Sequence, residues 1–71
     1  MKKISVSLSG HQTSISLESE FIDALRKIAA TENTSMAAII NSIDDARLPG
    51  SNLSSEIRIW IVRRLLKTAR L

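Results

Sequence analysis

Several residue types that stabilise small proteins are missing or scarce in this chain of 71 residues. It contains no cysteine, one histidine, one proline and only two aromatic residues. Disulfide bonds are therefore excluded, and His11 alone cannot form a metal centre, so we expect no metal and no cofactor. A chain of this size buries only about 60% of its unfolded surface on folding. Association with a second subunit is the remaining way to gain stability.

Long apolar runs are also absent, and none approaches the roughly 20 residues that a membrane-spanning helix needs. The lack of cysteine is compatible with a reducing compartment, and we expect a cytoplasmic protein with no membrane partner. So short a chain has little room for a concave pocket together with the supporting residues that hold catalytic side chains in position. None of its serines is accompanied by a histidine–carboxylate pair, so we do not expect an enzyme.

Charge of both signs is present, but it is unevenly distributed. Residues 1–50 contain five basic and six acidic side chains, whereas residues 51–71 contain five basic side chains and one acidic one. A basic segment of this kind favours an anionic partner, of which nucleic acid is the commonest. The alternative is a solvated helix whose cationic end suits the helix dipole.

Polar and apolar side chains alternate through most of the first 17 residues, which is typical of strands with one buried face. Apolar side chains lie at even positions up to Leu8 and at odd positions from Ile15 onward. The phase changes around Gly10, which permits a turn or a bulge. The pattern predicts a strand over residues 11–17. It leaves open whether residues 1–9 fold back as a hairpin strand or continue as an arm.

Two amphipathic helices are predicted next, over residues 19–32 and 35–47. Both have apolar side chains spaced three and four residues apart and polar side chains on the opposite face. Asn33 can end the first helix in the left-handed conformation. Ser35, or alternatively Thr34, can cap the second helix, and Pro49 stops it because proline lacks an amide donor. The expected apolar face of the first helix consists of Phe21, Leu25, Ile28 and Ala29.

A third helix is predicted over residues 52–69, and its apolar arc is unusually wide. Apolar side chains cover roughly 200° of its circumference, and basic side chains with Trp60 fill the rest. One small chain cannot easily cover so wide an arc, so we expect a second subunit to contribute. Trp60 either packs in that interface or contacts a partner beside the basic side chains.

The strand at residues 11–17 has no obvious partner, and an exposed backbone edge pairs readily with another chain. The simplest closed arrangement is a twofold dimer in which the strand pairs antiparallel with its copy. Thr13, Ile15 and Leu17 would then face inward. Such a ribbon fits the DNA major groove, where outward polar side chains can contact base edges. The expected dimer core is Ile15, Leu17, Phe21, Leu25, Ile39, Ile43, Ile57, Trp60 and Ile61.

The order of strand, helix, short turn and serine-capped helix resembles the ribbon-helix-helix DNA-binding fold of the Arc and methionine repressors. The stretch GHQTSISLE at residues 10–18, with Phe21, Leu25 and residues 43–44 and 52–55, is similar to a bacterial subfamily of ribbon-helix-helix domain proteins of unknown role. The similarity covers about residues 10–66 and implies an intertwined homodimer. The expected fold is mainly α-helical with a β-ribbon, and the third helix is an addition to it.

This resemblance also implies where DNA would bind. Gln12, Ser14 and Ser16 would contact bases from the outward strand face. The second helix would hold a phosphate at its N-terminus, where free amides and the helix dipole attract anions. The candidate phosphate contacts are Lys2, Lys3, His11, Thr34, Ser35 and Met36.

Two functions follow from these features. In the first, the chain is a dimeric DNA-binding protein, a transcriptional regulator that inserts an antiparallel β-ribbon into the major groove of double-stranded DNA. In the alternative, it is a dimerisation or adaptor module, similar to an antitoxin, that binds another protein through the basic third helix. The outward strand residues would then be ordinary solvent-facing side chains.

Overall fold

The computed structural model describes residues 1–69, which form two strands followed by three helices. The strands are β1 (Lys2–Leu8) and β2 (His11–Leu17). The helices are α1 (Ser19–Thr31), α2 (Met36–Ala46) and α3 (Leu53–Ala69). This architecture, mainly helical with one antiparallel β-ribbon, is the fold class that the sequence predicts.

The two strands form an antiparallel hairpin whose turn consists of Ser9 and Gly10. Both turn residues have positive φ angles, 49° and 83°, as in the two-residue turns that match the twist of flanking strands. Gly10 adopts this conformation without steric cost because it has no Cβ. The turn explains the change of phase in the sequence. Ile4 lies opposite Ile15, so the even positions of β1 share a face with the odd positions of β2.

The hairpin changes the expected environment of β2. The sequence analysis finds no partner for this strand within the chain, and that expectation is wrong. β1 pairs with it along its whole length, from Lys2 opposite Leu17 to Leu8 opposite His11. Of the two alternatives for residues 1–9, the structure contains the hairpin strand. Because β1 occupies one edge of β2, only the other edge is available to a second chain.

One hydrophobic core lies between the inner face of the hairpin and the three helices. Leu17, Leu25 and Ile57 are completely inaccessible to solvent. Ile22, which is absent from the predicted apolar face of α1, is also buried. Thr13 lies on the inner face as expected, but it is exposed.

Most of the predicted dimer-core residues already pack within this single chain. Seven of the nine are buried in the core, and the exceptions, Phe21 and Trp60, are half-buried. These seven side chains are therefore buried without any contribution from a second subunit.

The helix ends follow the local signals in the sequence. Ser35 Oγ accepts a hydrogen bond from the amide of Ala38 at 3.0 Å, which confirms the predicted cap of α2. Asn33 has a φ angle of 55°, the predicted left-handed conformation. At the start of α3, Asn52 Oδ1 accepts from the amide of Ser55 at 2.9 Å.

Helix α3 is covered on one side only. Ile57 and Ile61 are buried, whereas four large apolar side chains remain 43–47% exposed: Ile59, Val62, Leu65 and Leu66. The wide apolar arc therefore extends beyond what the other described residues, 1–52, cover. Within residues 1–69, no helix is long and apolar enough to cross a bilayer.

Candidate nucleic-acid interface

The hairpin face that points away from the core consists entirely of polar side chains, and we call it the ribbon face. Its inner counterpart carries the buried residues Val6, Leu8, Ile15 and Leu17. Five of the six side chains on the ribbon face are exposed and Ser16 is half-buried. The ribbon face consists of Lys3, Ser5 and Ser7 from β1 with Gln12, Ser14 and Ser16 from β2.

The register arranges these six side chains as three cross-strand pairs. Directly opposed residues in antiparallel strands have Cβ atoms about 4.5–5.5 Å apart. Alternate residues of a strand are separated by about 7 Å. The ribbon face is therefore a ladder of hydroxyl and amide groups with one positive charge, at the end far from the turn. The pairs are Lys3 with Ser16, Ser5 with Ser14, and Ser7 with Gln12.

Helix α2 covers part of the outer edge of β1. Asn41 donates a hydrogen bond from Nδ2 to the carbonyl oxygen of Ser7 at 3.0 Å. This carbonyl group therefore points away from β2. Because hydrogen-bonding directions alternate along an antiparallel pair, the backbone groups of Lys3 and Ser5 point out of the same edge.

The same alternation directs the backbone N–H and C=O groups of Gln12, Ser14 and Ser16 out of the opposite edge, which belongs to β2. These groups have no hydrogen-bond partner within residues 1–69. The edge borders a groove of about 350 Å³ whose other wall includes residues 52–54. The edge of β2 is thus open, whereas that of β1 is partly covered.

Among residues 1–69, the N-terminus of α2 keeps free amides, although the amide of Thr34 is not one of them. The amide of Thr34 donates to the carbonyl oxygen of Ala29 at 2.9 Å, where it closes α1. Ser35 Oγ already accepts the amide of Ala38. Within the part of the chain that the structure describes, the amides of Ser35, Met36 and Ala37 remain unpaired. The sequence analysis missed Ala37 because a capping serine can accept a hydrogen bond from either of two amides, and the sequence does not show which one.

The structure separates the other predicted phosphate contacts. Lys3 lies on the ribbon face, whereas Lys2 and His11 alternate toward the inner side, opposite Leu17 and Leu8. Both are exposed at the two ends of the hairpin. The hairpin therefore brings Lys3 together with the three predicted base contacts. It adds Ser5 and Ser7, which the sequence analysis did not name as site residues because it left open whether residues 1–9 form a hairpin strand or an arm.

Part of the positive charge of α3 is neutralised by ion pairs within the chain. Arg58 Nε donates to Glu18 Oε1 at 2.8 Å, and this hydrogen bond holds the pKa of Glu18 below its ordinary value. Arg64 pairs with Glu32, and its guanidinium lies 4.5 Å from the centre of the Trp60 ring. Trp60 thus has a cationic neighbour on its own helix.

Other basic side chains of α3 remain available to a partner. Arg63 and Lys67 are exposed, and neither forms an ion pair with another of residues 1–69. Arg70, which belongs to the same basic segment, lies outside the described residues. No group of three or more His, Asp or Glu side chains that could hold a metal occurs within residues 1–69.

In a comparison with known protein families, residues 1–65 match the ribbon-helix-helix domain. The match covers both strands, α1, α2 and most of α3. No curated protein and no solved structure matches the chain.

Proposed function

Because this chain belongs to the ribbon-helix-helix domain family, we propose that it is a DNA-binding transcriptional regulator that acts as a homodimer. Members of the family are generally DNA-binding transcription regulators or antitoxins, and they are typically not enzymes. The observation that carries the proposal is the ribbon face. It consists of six polar side chains, five of them exposed and none of them acidic, on a two-stranded ribbon.

The open edge of β2 supports pairing with β2 of a second copy. With Ser14 on the twofold axis, the outward backbone groups of Gln12 in each strand meet those of Ser16 in the other. All three outward-pointing residues then form ladder hydrogen bonds, which an open edge otherwise leaves unmade. The product is a four-stranded sheet with the two β2 strands at its centre.

The dimensions of this sheet suit DNA. Strands lie about 4.8 Å apart, so the two outer strands are separated by roughly 14 Å, slightly more than the major groove width of about 12 Å. The central β2 strands would face the bases, and the β1 strands would lie over the phosphates on either side. Gln12 can bind adenine through two hydrogen bonds, and serine hydroxyls can bind either donors or acceptors.

Phosphate binding is supported by groups around this sheet. Lys3 lies on β1, on the side that the sheet turns toward DNA. The free amides of Met36 and Ala37 lie at the positive end of the α2 dipole, which favours anions. The hydroxyl groups of Thr34 and Ser35 are beside them and exposed. Lys2 and His11, at the ends of the hairpin, can reach the flanking backbone.

Selection of random double-stranded DNA against the purified protein tests the proposal, and we expect a short inverted repeat. Gln12→Ala should lower affinity for that site by about 1–3 kcal/mol and relax the preference at one base pair. Lys3→Ala should weaken binding to all sequences and reduce the dependence of affinity on salt.

Lys27→Ala is the matched control for Lys3→Ala. It removes the same charge from an exposed position on α1, away from the ribbon face, and should leave the salt dependence unchanged. Absence of any enriched sequence, together with binding that is absent or insensitive to salt, would contradict DNA binding. The antitoxin-like alternative, which the exposed apolar side chains of α3 favour, would then be preferred.

A further inference from the structure

Helix α3 has an apolar stripe on the side opposite the core, and we call it the α3 stripe. The buried Ile57 and Ile61 mark the inner side of the helix. The residues of the stripe recur at alternating intervals of four and three, which is the spacing of a coiled-coil seam. Its three large members are 43–46% exposed. The stripe consists of Ile59, Val62, Leu66 and Ala69, and the polar Ser55 continues the same spacing at its N-terminal end.

Opposite charges flank the stripe on one side. Glu56 follows Ser55 and Arg63 follows Val62, so both lie on the side of the stripe next to α2, where they border the same groove. Neither forms an ion pair with another of residues 1–69. A shallow depression of about 310 Å³ lies on the stripe between residues 58–59 and 62–63.

We propose that the α3 stripe binds the α3 stripe of a second copy of this chain in an antiparallel orientation. In an antiparallel pair, Ile59 of each helix packs beside Val62 of the other. The flanking positions on the α2 side then lie next to each other across the contact. Glu56 of each copy therefore meets Arg63 of the other, and the twofold axis generates this ion pair twice.

The distribution of charge opposes the parallel orientation. In a parallel coiled coil, the residue that precedes an a position of the seam, here Ile59, faces a residue of the partner helix. That partner residue has a sequence number five higher. That rule brings Arg58 of one copy beside Arg63 of the other. The antiparallel orientation replaces this contact between like charges with one between opposite charges.

The contact is short, because 17 residues of helix extend only about 25 Å. We therefore expect association through α3 to be weak and dependent on protein concentration. It uses residues other than those of the ribbon face and the β2 edge, so it does not rest on DNA binding. Added to a dimer formed through β2, it would join dimers into larger assemblies.

Sedimentation of the full chain over a wide range of concentrations, without DNA, tests this proposal through charge exchange. The wild-type protein should show a concentration-dependent association step. Glu56→Arg should lose it because two arginines then meet at each contact, and Arg63→Glu should lose it because two glutamates meet. An equimolar mixture of these variants should regain the step, and so should the double variant, since both restore opposite charges.

Circular dichroism of each variant establishes that it is folded. Arg63→Glu, at an exposed position, gives an independent result if Glu56→Arg does not fold. The proposal is overturned if the wild-type protein shows no association step that these charges affect. It is also overturned if the mixture and the double variant both fail to regain the step. A failure here leaves the proposed DNA binding intact, because no DNA is present.

Discussion

Arg58 donates its Nε hydrogen to Glu18 Oε1 across 2.8 Å, although the two residues are 40 positions apart in the chain. Glu18 is the residue between the end of β2 and the start of α1. The same guanidinium lies 6.0 Å from the centre of the Phe21 ring, in the first turn of α1. A single side chain of α3 therefore holds the junction between the hairpin and the helices.

Removing this ion pair should change how stability depends on pH. Glu18 has a folded-state pKa below its ordinary value of 4.5 because Arg58 donates a hydrogen bond to it. Such a group contributes stability above its unfolded pKa and loses that contribution as the pH falls through its folded pKa. We expect Glu18→Gln to lose stability less steeply than the wild-type protein below about pH 5, as measured by urea unfolding at a series of pH values.

Asp23→Asn provides the control for this experiment. Asp23 pairs with Arg26 at 3.4 Å, and both side chains are 66% exposed, so the pair should contribute little. Parallel pH profiles for Glu18→Gln and the wild-type protein would show that the Arg58 contact does not stabilise the fold.

The two faces of β2 should respond differently to substitution. Ile15 is 7% exposed in the core, so Ile15→Asp buries a carboxylate without a partner and should unfold the protein. Ser14 is exposed on the ribbon face, and Ser14→Ala should change the free energy of unfolding by about 0.5 kcal/mol or less. Thermal melts followed by circular dichroism measure both effects. Equal shifts would mean that the assigned faces are incorrect.

The turn glycine should affect both stability and DNA binding. Gly10 has a φ angle of 83°, and an added Cβ would meet no atom within 4 Å. Gly10→Ala therefore acts through backbone conformation alone and should cost about 1–2 kcal/mol. Gly50, with a φ angle of 84° and equally open surroundings, is a matched control in the loop before α3. Both variants should lose similar stability, but only Gly10→Ala should weaken DNA binding in a binding titration.

Two helix caps allow a similar comparison. Ser35→Ala and Asn52→Ala each remove a side-chain acceptor from a helix N-terminus, and each should cost about 1 kcal/mol in stability. Only the cap of α2 lies at the proposed phosphate site. We expect Ser35→Ala to reduce affinity for all DNA sequences, whereas Asn52→Ala leaves it unchanged. Equal effects on affinity, measured with both proteins fully folded, would remove α2 from the interface.

Proline substitution should distinguish the two edges of the hairpin. Ser14 and Ser5 are cross-strand partners, and both of their N–H groups point away from the hairpin. Proline at either position removes an outward donor and preserves the internal ladder, as is tolerated on edge strands. In the Arg63→Glu background, in which the proposed α3 contact is lost, Ser14→Pro should dissociate the proposed β2-paired dimer in sedimentation experiments, whereas Ser5→Pro should not. An intact Ser14→Pro dimer would contradict pairing through β2.

Local signals carried most of what the sequence could predict. The caps at Ser35 and Asn33 depend on atoms only three to four residues away, so the residue types at those positions are sufficient. The phase change at Gly10 is also local, but a turn and a bulge satisfy it equally well. Choosing between them requires knowing that Ile4 packs beside Ile15 over the helices, which is a tertiary contact.

The candidate site also depends on tertiary contacts that the sequence does not show. Serine alternates with apolar residues in β1 as it does in β2, so the hairpin alternative already contained Ser5 and Ser7 on the outward face. No sequence spacing indicates that Arg58 would reach Glu18, or that Arg64 would reach Glu32, because these pairs depend on how α3 crosses α1 and the hairpin. Basic residues that appear available in the sequence are for this reason partly neutralised.

Asn41 connects the hairpin to α2 through hydrogen bonds. Its side-chain amide donates to the carbonyl oxygen of Ala37 on its own helix at 2.9 Å and to that of Ser7 on β1 at 3.0 Å. The free N-terminus of α2 lies about 8 Å along the helix axis from this point. In a complex with DNA, a phosphate held there would set how deeply the strands can enter the groove. The geometry of the sugar–phosphate backbone would then affect how closely the side chains of the ribbon face approach the bases.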